Sequence, residues 1–528
     1  MHLRPITAPH SFLSVLMAVL TLTLSGCMVG PDYRRPDVEV SPTWTEAGDT
    51  RVKSETGEYR TWWQAFNDPV LNQLIGRAYD GNLSLKVAGV RVIEARAQLG
   101  IAAGNFYPQT QQINGSLQHI RTSQSGVQAF PPFEFSLAQI AASASWELDF
   151  WGKFRRGIES ASAAWLATAA DYDNALVSLT ADVATSYINV RTLEKRIEIA
   201  RQNVETGRES LKIAETRFRF GVVSQLDVEQ AKAALSDTMA TIPALDAQLK
   251  QQRNALCVLL GMAPNDLADM IKGNQGIPVS PREVSVGIPA DLLRRRPDIR
   301  SAEYQAVAQS AQIGVAKADL YPALSLVGNF GFSASTIGES SLGDIFRWSS
   351  RTYQIGPSLQ WNIFNYGQIR NNVRLQDARL QELLLVYQNT VLKAQQDVED
   401  NLAAFLRAQE QAAFLAQSAE AAKNSMNLAV KQYVAGVRDF TAVLIAQQSL
   451  LNEQDRLAAT LGNISINLVG VYRALGGGWE FREGKELVAP AVTVEMEKRT
   501  DWGSLLAPAS YNPAAGKKPE SSPTSPDW

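Results

Sequence analysis

Two stretches of this chain are written to the same plan. Ala97-Gln98-Leu99-Gly100-Ile101-Ala102 followed by Tyr107-Pro108 returns as Ala311-Gln312-Ile313-Gly314-Val315-Ala316 followed by Tyr321-Pro322, a shift of about 214 residues. Trp146, Gly152 and Arg155 return as Trp361, Gly367 and Arg370, and Gly221-Val222 returns as Gly436-Val437. A chain duplicated in this way builds one unit twice, and whatever leaves one copy incomplete leaves the other incomplete too.

The formal net charge of −3 gives no reason to expect a nucleic-acid partner. One apolar run, Phe12 to Leu24, has the length of a signal-peptide core and is too short to span a bilayer as a helix. It ends in Leu24-Ser25-Gly26-Cys27, which resembles the bacterial lipobox, in which the cysteine thiol accepts diacylglycerol. Residues 1–26 are therefore read as a signal peptide and Cys27 as the lipidated first residue of the mature chain. The other cysteine, Cys257, sits in an apolar stretch and reads as core, so no disulfide framework is expected. With His2 and His10 in the signal, His119 is alone, which leaves little room for a histidine metal site or a catalytic triad. No phosphate loop or H-E-x-x-H motif occurs either, so neither enzyme activity nor a cofactor is expected.

Residues 70 to 104 carry apolar positions at helical spacing that should stop before Tyr107-Pro108. Beyond them Ile113, Gly115 and Leu117 alternate with polar residues, and after a turn at Gly126 to Pro132 so do Ile140, Ala142, Ala144, Trp146 and Leu148. The second half repeats this with Leu324 to Phe332 and Tyr353 to Ile363. Hairpins at 107–150 and 321–365 with one apolar and one polar face fit the spanning strands of an outer-membrane barrel, although a soluble sandwich has the same period. Aromatic residues near the strand ends, Tyr107, Trp146, Tyr321, Tyr353 and Trp361, favour the membrane.

Each hairpin leads into a proline-free stretch, Lys153 to about Phe220 and Gln368 to about Ala435, dominated by good helix formers. Either one as a single helix would reach roughly 100 Å, beyond the diameter of a compact domain. Both stop at a glycine, Gly221 or Gly436, and helices from Leu226 and Phe440 return, with Ser224 and Asp439 in position to cap them. Small residues spread widely around these helices, as in Ala161-Ser162-Ala163-Ala164, suit a wall packed on both sides better than a two-stranded coiled coil. Four strands cannot close in lipid, because an open edge leaves backbone groups unsatisfied. A dimer would give an eight-stranded barrel with a filled interior, and a trimer a twelve-stranded barrel with a passage; sequence alone does not choose.

In the order of its motifs the chain resembles the outer-membrane efflux factors, the TolC-type exit ducts, and among them the lipoprotein NodT-like branch. The residues that carry this are Cys27 with Gly30-Pro31-Asp32-Tyr33-Arg34-Arg35-Pro36, Trp62-Trp63 with Phe66 and Asp68-Pro69, Trp146-Glu147-Leu148-Asp149, Leu292 to Ile299, and Ala474-Leu475-Gly476-Gly477-Gly478-Trp479. The resemblance implies a mainly α fold with a membrane β-barrel, closing as a twelve-stranded barrel in a homotrimer above a long α-helical barrel. It also implies a collar drawing on 43–66, 262–290 and 476–490. The layout becomes a lipidated N-terminal segment at 27–66, repeats at 67–275 and 276–486, and a disordered tail over 487–528. Pro297 fits the first turn of a helix, the arginines before it read as solvated or collar contacts, and Gly476 to Gly478 ends the last long helix.

As implied partners the family brings a periplasmic adaptor, an inner-membrane RND-type transporter and outer-membrane lipid, and it implies passive export of small toxic compounds. A duct for type I protein secretion with an ABC transporter, or a lipid-anchored periplasmic coiled-coil scaffold, stand as alternatives. In this family the second tip carries a tyrosine before the glycine and a basic residue after it, matched here by Tyr433 and Arg438. The family's aspartates on the returning helix are replaced by Ala442 and Ile445. Asp439 or Asp227 could supply the negative charge instead, while Asp439 also reads as a plain helix cap. The tips at Gly221, Val222, Gly436 and Val437 are the expected adaptor contacts.

Overall fold

A computed structural model of the chain describes residues 28–55, 57–122, 134–273, 276–338 and 340–508. Cys27, the signal sequence and the turn expected at Gly126 to Pro132 lie outside the described residues. The duplication is visible at once. Helices α1 (Pro69–Gly81) and α2 (Leu83–Gly104) precede the hairpin β2 (Thr110–Arg121) and β3 (Glu134–Glu147), which feeds α3 (Lys153–Arg219) and the returning α4 (Gln225–Leu259). The second unit runs through α5 (Pro297–Ala318), β5 (Ala323–Ser335), β6 (Arg351–Gln360), α6 (Gln368–Val434) and α7 (Phe440–Ala474). Both outgoing helices have 67 residues and both returning helices 35. Gly152 and Gly367 start the outgoing pair in the left-handed conformation, φ +77° and +83°, which glycine adopts without a Cβ penalty.

The single helix expected over 70–104 is two. Asn82 breaks it: its extended backbone ends α1, and its side chain accepts from Leu85 N to cap α2 and donates to Leu259 O at the end of α4. Upstream, Asp68 caps α1 by accepting from Val70 N and Leu71 N, with Pro69 as the first helical residue. Tyr187 donates to the same carboxylate and itself accepts from Arg191, so the cap also anchors α1 to the middle of α3.

The four long strands form one antiparallel sheet in the order β2-β3-β5-β6. Its register sorts side chains by chemistry. Ile113 lies opposite Ala142, Ala142 opposite Phe330 and Phe330 opposite Tyr353, and the next row is Gln112, Ser143, Asn329 and Gln354. Ile113, Phe330, Tyr353 and Ile355 are exposed, so an apolar face is turned outward with uncharged polar groups behind it. That is the pattern of a sheet between lipid and a wet interior. No helix among the described residues is long and apolar enough to cross a membrane.

Below the sheet the long helices stand side by side in the order α4-α3-α7-α6. Two glycines let α7 close on both neighbours. A Cβ on Gly462 would lie 2.3 Å from Thr192 Oγ1 of α3, and one on Gly470 would lie 2.0 Å from Asn401 Oδ1 of α6. The wall is lopsided: α3 is buried along most of its length, whereas α6 exposes Leu385, Leu392, Phe414 and Leu428.

Around the waist runs the collar. A two-stranded parallel ribbon joins β1 (Val52–Lys53) to β4 (Val284–Ser285), and Trp62 stacks on Tyr472 with ring centroids 5.3 Å apart. Gly476 and Gly478 turn the chain out of α7 with φ of +71° and +100°. Of the arginines before Pro297, Arg296 is neither solvated nor free. It pairs with Asp298 and Asp397 and donates to Ala474 O.

The tail expected to be disordered from about 487 is ordered at its start. Leu487 and Val488 are buried, α8 (Pro490–Glu497) follows, and Met496 and Leu506 join the main core. Its composition hid a sparse apolar anchor pattern. The preceding collar turn is tied down by Arg482, which donates to the fully buried Asp173 of α3, with Arg300 3.5 Å from the same carboxylate. Burial pushes the Asp173 carboxyl up and the two guanidiniums oppose it. Arg482→Ala strands most of that buried charge and should cost about 3 kcal/mol, read as a lower thermal midpoint of the purified protein. An unchanged midpoint would show that the pair is not structural.

Candidate functional site

The two helical tips are near copies. In the first, Gly221 (φ +73°) follows α3, with Gly221 N donating to Phe218 O and Val222 N to Arg217 O. In the second, Gly436 (φ +73°) follows α6, with Gly436 N donating to Tyr433 O and Val437 N to Gln432 O. Paired bonds of this kind satisfy helix-end carbonyls and need a left-handed residue, which is why glycine recurs there. Val222 and Val437 stand exposed at the two extremities.

The returning helices start differently. Asp439 accepts from Ala442 N, a true cap for α7. Ser224 occupies the equivalent place but does not cap: its hydroxyl faces Asp227 Oδ1 at 3.4 Å instead of a backbone amide. Asp227 lies in the first turn of α4, where the helix dipole favours a negative charge.

Between the hairpins sits Tyr433. It is buried against Phe440, ring centroids 5.1 Å apart, and its hydroxyl donates to Asp227 Oδ2 at 3.1 Å. Burial, and then the negative charge of Asp227, push that hydroxyl up to about 12 from its ordinary 10. It therefore stays protonated and donates below pH 10, and the contact is lost only as pH rises toward 12.

One residue was not legible in the sequence. Arg217, in the last turn of α3, lies over the Tyr433 ring at 4.8 Å and donates to the carbonyls of Tyr433 and Val434. It satisfies the end of α6 from a different helix, and joins the two hairpins at their tips. A basic residue in a helix's last turn is expected from the dipole alone, so nothing local announced that its target lay across the molecule.

Of the sequence-derived candidates, Tyr433 and Asp227 meet directly. Arg438 does not join them: it is exposed, and among the described residues of this chain it has no ion pair or side-chain hydrogen bond. Asp439 is exposed and engaged as a cap. Ile445, where the family has an aspartate, is exposed.

A duplicated chain with an outward apolar sheet, a wall of helices about 100 Å long and latched tips defines a segment of a membrane-to-periplasm duct. It belongs to the outer membrane efflux protein family, which matches it twice, over residues 74–262 and 288–477, once per repeat. Nodulation protein T of Rhizobium leguminosarum bv. viciae is 32% identical over 476 residues, covering 89% of this chain and 94% of that protein. The probable efflux pump outer membrane protein TtgC of Pseudomonas putida is 29% identical over 479 residues, 89% of this chain and 96% of its own length. The solved structure of the outer-membrane channel OprN superposes with a TM-score of 0.80 at 32% identity, over 86% of this chain and all of OprN. The chain is thus an outer-membrane efflux duct component that reaches into the periplasm, a passive channel and not an enzyme. A scaffold of coiled coils alone would have no use for the outward apolar sheet.

Arg217→Ala removes a charge-assisted contact worth roughly 2 kcal/mol and should raise single-channel conductance after reconstitution, with Tyr433→Phe giving a smaller rise. Conductance equal to wild type in both variants would take the two residues out of the closure.

Proposed function

We propose that three copies of this chain close into the outer-membrane exit duct of a tripartite efflux pump, anchored by a lipid on Cys27. The observation that carries the reading is that every layer of the chain is an open arc. The sheet ends in the bare edges β2 and β6, and the helical wall ends in the outer faces of α4 and α6. A bare strand edge is not tolerated in hydrocarbon. Three copies give twelve strands, enough for a passage, and the uncharged row of Gln112, Ser143, Asn329 and Gln354 suits a wet lumen. Two copies would enclose an interior that side chains fill.

The closed end is the ring of tips. Tyr433, Asp227 and Arg217 hold the α6–α7 hairpin against the α3–α4 hairpin, and opening breaks that link. One tip carries two charges where Val222-Val223-Ser224 carries none: Asp439 is engaged as a cap, and Arg438, exposed and without an ion pair among the described residues, faces the neighbouring copy or an incoming protein. A periplasmic adaptor would seat on the exposed tips around Gly221, Val222, Gly436 and Val437, and an inner-membrane RND-type transporter would supply energy and choose the cargo. The description of TtgC as an efflux pump outer membrane protein favours efflux over protein secretion.

In a strain lacking this protein, small toxic compounds should accumulate, and cross-linked membranes of the parent should yield an adaptor and an inner-membrane pump on this chain. Recovery of an ABC transporter and a retained protein substrate would replace efflux with secretion. Cys27→Ser should abolish labelling by a radioactive fatty acid; unchanged labelling would remove the lipid anchor.

A further inference from the structure

The connection between β5 and β6 folds back along the sheet. It forms two 3₁₀ turns, Leu342–Phe346 and Trp348–Ser350, which pack on β5, the first of them also on β3. Its own polar groups frame it: Asp344 accepts from Ser341 N and pairs with Arg347 at 3.0 Å, and Ser350 Oγ donates to Asp344 O. The Trp348 ring meets Phe330 and Phe332, with centroids 6.4 and 6.2 Å away. Both phenylalanines stand on the outward apolar face, Phe330 between Ala142 and Tyr353 and Phe332 between Ile140 and Arg351. The loop therefore lies on the side of the sheet that meets lipid.

Its outer surface is not what self-burial would leave. A loop that folded back only to hide its aromatic residues would not leave Phe346 92% exposed and Trp348 exposed beside it. A neighbouring copy joined at the sheet edges would not cover them either, because β3 and β5 are the two inner strands.

Depth places the loop at the outer boundary of the bilayer. The inner boundary is marked by Trp361, which donates to Leu320 O just past the end of β6. The ten residues of β6, from Gln360 back to Arg351, rise about 30 Å. A strand tilt of roughly 40° leaves about 23 Å of that along the membrane normal, close to the roughly 25 Å apolar band of such barrels.

At that level one cation stands on the lipid side with no acid beside it. Arg351 is exposed, shares the outward row of Ile140 and Phe332, donates to Trp348 O and lies over the Trp348 ring at 5.2 Å. Among the described residues it pairs with no carboxylate. The nearby acids are engaged elsewhere, Asp344 with Arg347 and Glu134 with Arg121 at 3.1 Å, His119 lying 3.9 Å away. A guanidinium keeps several donors in a planar fork that matches a phosphate, and the anions at this depth of a membrane are lipid phosphates.

We propose that the 341–351 loop is a binding site for a phosphorylated glycolipid of the outer leaflet, with the chemistry of lipid A. Arg351 takes the phosphate, the exposed Arg347 adds positive charge beside it, and Phe346 and Trp348 lie against the acyl chains. The site belongs to one chain and needs only that the sheet lies in the outer membrane, so it stands whether or not three copies close the duct.

The test is native mass spectrometry of the detergent-purified protein with added lipid A, lipid A stripped of its phosphates, and phosphatidylglycerol. Wild-type protein should hold lipid A in preference to the other two. Arg351→Ala should cut the lipid A-bound fraction about tenfold, as expected for loss of a charge-assisted contact, and abolish the preference for the phosphorylated form. Trp348→Ala should weaken all three lipids while keeping that preference, and Arg351→Lys should retain part of the binding. Equal binding of lipid A by wild type and Arg351→Ala, or equal binding of lipid A and its dephosphorylated form by wild type, overturns the site. Phosphatidylglycerol held as tightly as lipid A overturns the glycolipid as its occupant.

Discussion

A backbone edge cannot be left bare in hydrocarbon, and the rest of this structure follows from that constraint. Four strands are too few to close, which is why we propose that other copies finish the sheet. The helices inherit the same arc, because α3 and α6 grow directly out of β3 and β6 through Gly152 and Gly367. Duplication makes the repeat unit small and the two halves of the chain nearly equivalent.

The departures from equivalence sit where function would need them. At the tips the first hairpin offers Arg217 and Asp227, and the second offers Tyr433 and the end of α6; each supplies what the other lacks. Two identical hairpins could not latch in this way. At the collar, Arg482 on Asp173 and Trp62 on Tyr472 bind the wall from outside.

Much of this was legible in the residues. Alternation gave the strands, the absence of proline gave the long helices, and Gly221 and Gly436 gave the turns. Asn82 was missed because an asparagine inside an apolar helical pattern looks like a surface residue until its side chain is seen capping α2 and bonding Leu259. Leu487, Val488, Met496 and Leu506 were missed because a few scattered anchors do not lift a polar, proline-rich stretch above a disordered composition. Arg217 was missed for a different reason: its partners are backbone carbonyls of another helix, and carbonyls have no sequence signature. Asp439 carries a double reading in sequence, gate or cap, and in the structure its carboxylate is engaged as a cap.

The most direct test of the account is an electron cryo-microscopy map of the complex purified in a lipid nanodisc without its partners. The account predicts three-fold symmetry, twelve strands around an open lumen, and tips drawn together with Tyr433 against Asp227. A two-fold particle with eight strands, or a single chain whose β2 and β6 edges face lipid, would contradict it.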